Sequence, residues 1–232
     1  MAEIAKSKER QERTHDKNLF DMVILIGNQK GGAGKSTLCL LLAYYLSTIQ
    51  KAKVTVLDMD YQASVSGKFE KAKILENEPI YEVIASDLKY YPALVELLTQ
   101  NIEEFVLIDL PGKMDDDLLI PIISSAELII CPFNYDEFSV DSTVLFSLVC
   151  KEINKASPIV YVPNRIKTTV KYETKEEVDR VLGRFGKVSP NISDRIDFQR
   201  VGTVHIPAAL IPVFMPALDF VFNEHMRKGS SP

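Results

Sequence analysis

Long apolar stretches are missing from this 232-residue chain. Its most apolar helical run, Leu38 to Leu46, falls far short of the ~20 residues that cross a bilayer, so stable membrane insertion is not expected. The N-terminus is charged and has no apolar centre, which argues against a secretory signal. Cysteine is scarce: Cys39, Cys131 and Cys150 lie far apart without paired metal-ligand spacing, and reduced thiols in a cytoplasmic protein are the expectation. His15, His205 and His225 are scattered and form no metal cluster. No internal repeat and no low-complexity linker interrupts the chain.

The net charge of −5 conceals an asymmetry. Ser86 to Asp141 holds 12 acidic and 2 basic residues, whereas Lys151 to Arg200 holds 11 basic and 7 acidic ones. A basic face can therefore meet phosphates despite the negative total, although for any single charge a solvated surface is the better reading.

Residues 1–20 mix both signs and carry few large apolar side chains, and they read as a mobile charged arm ahead of a single domain over 21–232. In that domain short β-rich runs stand at 22–26, 54–57, 105–108, 128–131 and 159–162, with a weaker one at 80–85. Helical patterns fall at 35–49, 91–100, 115–124, 139–154 and 173–185. Nearly continuous apolar strands are buried on both faces. Their alternation with helices predicts a doubly wound α/β fold, a mainly parallel sheet with helices on both faces. Ligands of such sheets bind beyond the carboxyl ends of the strands.

Beyond the first strand stands "GNQKGGAGKST", Gly27 to Thr37. Gly31, Gly32 and Gly34 permit a tight turn whose N–H groups face an anion, with Ala33 among them, and the following helix adds its positive end. Lys35 is placed to neutralise β- and γ-phosphates, Ser36 to bind Mg²⁺, and Thr37 to continue the loop. The usual phosphate loop begins with a glycine at the position of Gln29. This one instead has Lys30 directly before two glycines. Asp58 and Asp60 flank the second strand's end, either as solvated acids or as groups that polarise a water or reach the metal. Asp109 ends the "FVLI" strand and is suited to holding the Mg²⁺ shell, with a Pro111-Gly112 turn after it. Asn164 follows the "IVYV" strand, where its amide suits a purine edge or simply forms a turn. A guanine reader needs an acid at residue 167, which is lysine, so ATP is favoured over GTP.

These residues together resemble the ParA/MinD family of deviant Walker-A ATPases, a phosphate-loop NTPase type. Lys30 to Ser36 fit its loop, Lys-Gly-Gly-x-Gly-Lys-Ser/Thr, "PFNYDEFSVDS" (132–142) is similar to a family stretch, and "ISDRIDFQR" (192–200) looks like its late Ile-x-x-Arg segment. The resemblance covers about residues 22–215 and is most like the short ParA type. It implies a sandwich homodimer with two ATP molecules, in which Lys30 crosses to the partner's nucleotide, Asp60 orients the attacking water and Asp109 is the Walker-B acid. It further implies non-specific DNA binding, a ParB-like activating partner, slow hydrolysis, and association with the nucleoid when ATP is bound. Tyr61 departs from the family, which often has proline there, and Ala33 stands where valine or isoleucine is common. Candidate DNA contacts are Lys167, Lys171, Arg184, Lys187, Arg195, Arg200 and Arg227, with Arg195 foremost. Two other functions compete. A MinD-like membrane positioner needs a basic amphipathic terminus, but "PALDFVFNEHMRK" is poor in basic residues and reads better as a core helix. A metabolic synthetase on the same scaffold needs a substrate pocket that the sequence does not locate.

Overall fold

The apolar runs become strands whose alternate side chains feed two separate cores. The computed structural model describes residues 22–60, 64–74, 78–98, 104–112 and 115–227; the proposed arm (1–20) and Tyr61 lie outside them. The strands are β1 (Met22–Ile26), β2 (Lys53–Asp58), β3 (Glu82–Ala85), β4 (Glu104–Asp109), β5 (Leu128–Phe133), β6 (Ile159–Pro163) and β7 (Lys187–Val188). They form one sheet in the order β3-β2-β4-β1-β5-β6-β7, and every neighbouring pair is parallel. This is the expected fold class.

The two-residue period of a strand divides β1 between layers. Ile24 and Ile26 join one core, Val23 and Leu25 the other. All four are buried, and each such side chain contributes about 1.5–3 kcal/mol on burial. The first core is closed by helix α1 (Lys35–Tyr44), which ends in a π-turn (Tyr45–Ile49), and by α7 (Ile211–His225). Helix α2 (Ser64–Ile74) adds Val65 to it. The second core is closed by α3 (Tyr91–Leu98), α4 (Leu119–Ser125), α5 (Glu137–Ile153) and α6 (Lys175–Leu182).

Two helices escape the periodic pattern. In α2 only Val65 and Phe69 are buried hydrophobics among the described side chains, so its sequence lacks a continuous apolar stripe. In α7, Pro212 and Pro216 interrupt a helical reading. Pro212 is tolerated in the first turn, where N–H groups lack intrahelical partners, whereas Pro216 removes an interior bond. The helix is held instead by burial of Phe214, Ala217, Leu218, Val221 and Phe222. The C-terminal stretch therefore packs in the core, as its composition suggested. No helix among the described residues is long and apolar enough to cross a membrane.

Candidate nucleotide site

The strand order switches sides about β1, which has β4 on one side and β5 on the other. The crevice beyond the strand ends opens at such a point, and the glycine-rich loop occupies it. Gly27 extends β1 by donating to the Ile130 carbonyl at 3.0 Å. A Cβ on Gly27 would stand 2.7 Å from Phe146 Cζ, so only glycine lets the chain pass α5 here. Asn28 is fully buried. Its Nδ2 donates to the Pro132 carbonyl at 2.8 Å and to Thr143 Oγ1 at 2.9 Å, and its Oδ1 accepts the Lys30 N–H at 2.9 Å. The loop is thus riveted to β5 and α5 before it turns. The turn itself needs left-handed backbone at Gly32 (φ 76°) and Gly34 (φ 92°). Because both positive φ values fall after Lys30, residue 29 has no need to be glycine. Gly34 is the N-cap of α1, so the loop's N–H groups and the helix's positive end converge where an anion would lie.

Lys35, in the first turn of α1, is buried. Burial lowers its pKa, and the nearby Asp109 and Asp60 carboxylates oppose that drop. The parallel register sets Asp109 beside Ile26 on one neighbour and beside Asp58 on the other. Asp109 is completely buried, and neither of its carboxylate oxygens has a hydrogen-bond partner. Burial first, and then the Asp58 charge, push its pKa up to about 7, tempered by the Ser36 hydroxyl and Lys35. The Ser36 hydroxyl thus stands beside the carboxyl and favours its charged form. A buried, unpartnered carboxylate beside a hydroxyl is an oxygen donor set that suits Mg²⁺, so these residues fit the metal that the loop implies. The Pro111-Gly112 turn closes on the same point, since a Cβ on Gly112 would meet Lys35 Nζ at 3.5 Å.

Asp58, a candidate for the metal shell, also anchors the backbone that follows it. Its Oδ2 accepts the N–H groups of Val65 at 3.1 Å and Ser66 at 2.8 Å, and Oδ1 accepts that of Asp60 at 3.3 Å. It satisfies the open first turn of α2 and thereby fixes the position of half-buried Asp60.

Two cavities adjoin the loop. The smaller, about 230 Å³, is bordered by Lys30, Gly31, Gly32, Ala33, Ser139 and Arg165 among others. The larger, about 510 Å³, is bordered by Gly34, Thr37, Lys68, Asn164, Arg195 and Phe198 among others. Asn164 lines both, yet its amide is engaged: Nδ2 donates to the Ala33 carbonyl at 2.9 Å and Oδ1 accepts the Arg165 N–H at 3.0 Å. Asn164, the candidate for the purine edge, thus also braces the loop. Its neighbour Arg165, whose φ of 57° turns the chain back, donates from Nη1 to the Gly32 carbonyl at 3.2 Å. Lys68 of α2 donates to the Val201 carbonyl at 2.9 Å, tying α2 to the segment that walls the larger cavity.

These contacts also redistribute the DNA candidates. Arg195 is at the larger cavity, beside the loop. Lys187 pairs with Glu224 of α7, and Arg200 pairs with Asp197 at 3.5 Å, so neither is a free cation. Lys167, Lys171 and Arg184 are exposed.

The model of the CobQ/CobB/MinD/ParA nucleotide binding domain matches residues 24–206. The chain belongs to this family. As a CobQ/CobB/MinD/ParA member it carries a nucleotide-binding domain over most of its length. Solved structures share the fold. A plasmid partition protein from Borrelia burgdorferi has 22% identity and a TM-score of 0.68, covering 88% of this chain and 99% of its own. A Borrelia burgdorferi B31 protein bound to AMPPNP has 23% identity and a TM-score of 0.71 over the same shares. The MinD cell division protein of Aquifex aeolicus has 17% identity and a TM-score of 0.67, covering 91% and 98%. A comparison with curated protein sequences finds no match.

Within the family fold, Gly31 to Thr37 follow β1, Asp60 follows β2 and Asp109 ends β4, and both acids lie near enough to act on Lys35. Asn28, Arg165 and Lys68 were not anticipated. Only Arg165 carried a signal, by adjoining Asn164; the tasks of Asn28 and Lys68 depend on partners more than 100 residues away.

Proposed function

We propose that this chain is a ParA-type ATPase that partitions or positions DNA. ATP drives formation of a sandwich homodimer, the dimer holds DNA non-specifically through phosphate contacts, and a ParB-like partner stimulates slow hydrolysis. The reading rests chiefly on the contrast between two lysines of one loop. Lys35 is buried among the acids of its own site. Lys30 borders the smaller cavity, but its ammonium rests over the exposed ring of Phe138 rather than beside those acids. A cation at the outer edge of a phosphate cradle is placed to reach a nucleotide held by a second copy, where it would stabilise transition-state charge.

In this scheme the loop N–H groups and Lys35 bind the β- and γ-phosphates. Ser36 and Asp109 hold Mg²⁺, which offsets phosphate charge when bound. Asp60 orients the attacking water. Replacing Lys30 with glutamine should leave ATP binding by the single chain intact and abolish the ATP-dependent dimer, measured by analytical ultracentrifugation; an unchanged dimer refutes the sandwich. DNA retention should fall steeply with salt. The buried face of α7 favours this reading over a membrane positioner, because that helix spends its apolar side chains on the core.

A further inference from the structure

Phe138 is the most exposed large apolar side chain among the described residues, at 73%. It stands in the first turn of α5, whose N-cap Asp136 accepts the Ser139 N–H at 3.0 Å. The Lys30 ammonium lies over it, 5.4 Å from the centroid, inside the ~6 Å range in which a ring face attracts a cation. The same helix also fixes the lysine's main chain, since Thr143 of α5 accepts from Asn28, whose Oδ1 accepts the Lys30 N–H. One helix thereby sets both ends of a side chain that is otherwise long and flexible.

We propose that Phe138 is the positioning residue for Lys30: the ring keeps the ammonium from folding onto its own loop and presents it to a second copy. The presentation half rests on the sandwich reading; the contact half does not. Holding a lysine in its working direction removes part of the entropy cost of ordering it on association. An exposed cation–ring contact of this kind corresponds to about a two- to five-fold change in an equilibrium constant.

The test uses the full chain in two measurements. In the nucleotide-free single chain, the Lys30 Cε methylene resonance, assigned by its loss in Lys30→Gln, should be displaced by the ring current in wild type and Phe138→Tyr, and return to the ordinary lysine position in Phe138→Leu. With a non-hydrolysable ATP analogue, Phe138→Leu should weaken the dimer about two- to five-fold without changing nucleotide affinity. Pentafluorophenylalanine at position 138, which keeps bulk and apolarity but loses the negative ring face, should behave like leucine, and tyrosine like wild type. An undisplaced wild-type resonance overturns the contact. A pentafluoro variant that dimerises like wild type reduces Phe138 to apolar packing and overturns the positioning role. A wild-type chain that stays monomeric with the analogue refutes the sandwich and the presentation half with it, while the resonance still decides the contact.

Discussion

Asp109→Asn should make the nucleotide-free chain more stable while disabling its site. The native carboxyl is fully buried, lacks a hydrogen-bond partner, and has a pKa near 7 because burial disfavours its charge. In the unfolded chain the same group titrates near 4. Between those values the native state holds a proton that the unfolded state has released, so stability falls as pH rises from about 4 to about 7. Three decades of proton affinity correspond to about 4 kcal/mol. Asparagine keeps the shape and never ionises. It also removes a charge that supports Lys35, which takes back part of the gain, and a net stabilisation of about 1–3 kcal/mol at pH 8 is expected. Urea unfolding at several pH values reads this directly: the two proteins should converge near pH 4 and separate as the pH rises. Adding Mg²⁺ with an ATP analogue should narrow or reverse the difference, because the variant lacks the acid that would hold Mg²⁺ and gains less from binding. If the variant is no more stable than wild type at pH 8, or if the difference does not depend on pH, Asp109 is not an uncompensated buried carboxylate.

The other expectations are simpler. Asp58→Ala should cost about 1–2 kcal/mol through loss of the α2 cap, read as a lower unfolding midpoint, and should slow ATP turnover by loosening Asp60 while leaving ATP affinity nearly unchanged. Asp60→Ala should trap a long-lived ATP dimer; single-turnover hydrolysis at the wild-type rate would contradict a water-orienting role. Arg195→Ala should weaken nucleotide binding as well as DNA retention, because Arg195 borders the larger cavity; equilibrium titration with a fluorescent ATP analogue separates the two effects.

The parts of the fold that the sequence announced are those with both faces buried. Strands β1, β4 and β5 read clearly because Ile24 and Leu25, or Leu107 and Ile108, feed opposite cores. Strand β3 was weaker to read because its side chains are only half-buried or exposed, and α2 because few of its side chains are buried. The loop was legible because its chemistry is local: the glycines, Lys35 and Ser36 act within one turn. Asp58 is harder to read for the opposite reason. A carboxylate two residues before another looks like a ligand pair, whereas its acceptors are filled by N–H groups seven and eight residues ahead. Arg195 drew attention as a surface cation, and only the folded chain brings its segment alongside Thr37.

The bond from Lys68 to the Val201 carbonyl gives the site a mechanical property. Helix α2 begins just beyond Asp60, and residues 195–199 help to enclose the larger cavity. A strap between the two makes the start of α2 and the wall of the larger cavity parts of one linkage. Displacing either end must drag the other or break the strap, so a change in the larger cavity and a shift of α2, which begins just beyond Asp60, become a single adjustment of the chain.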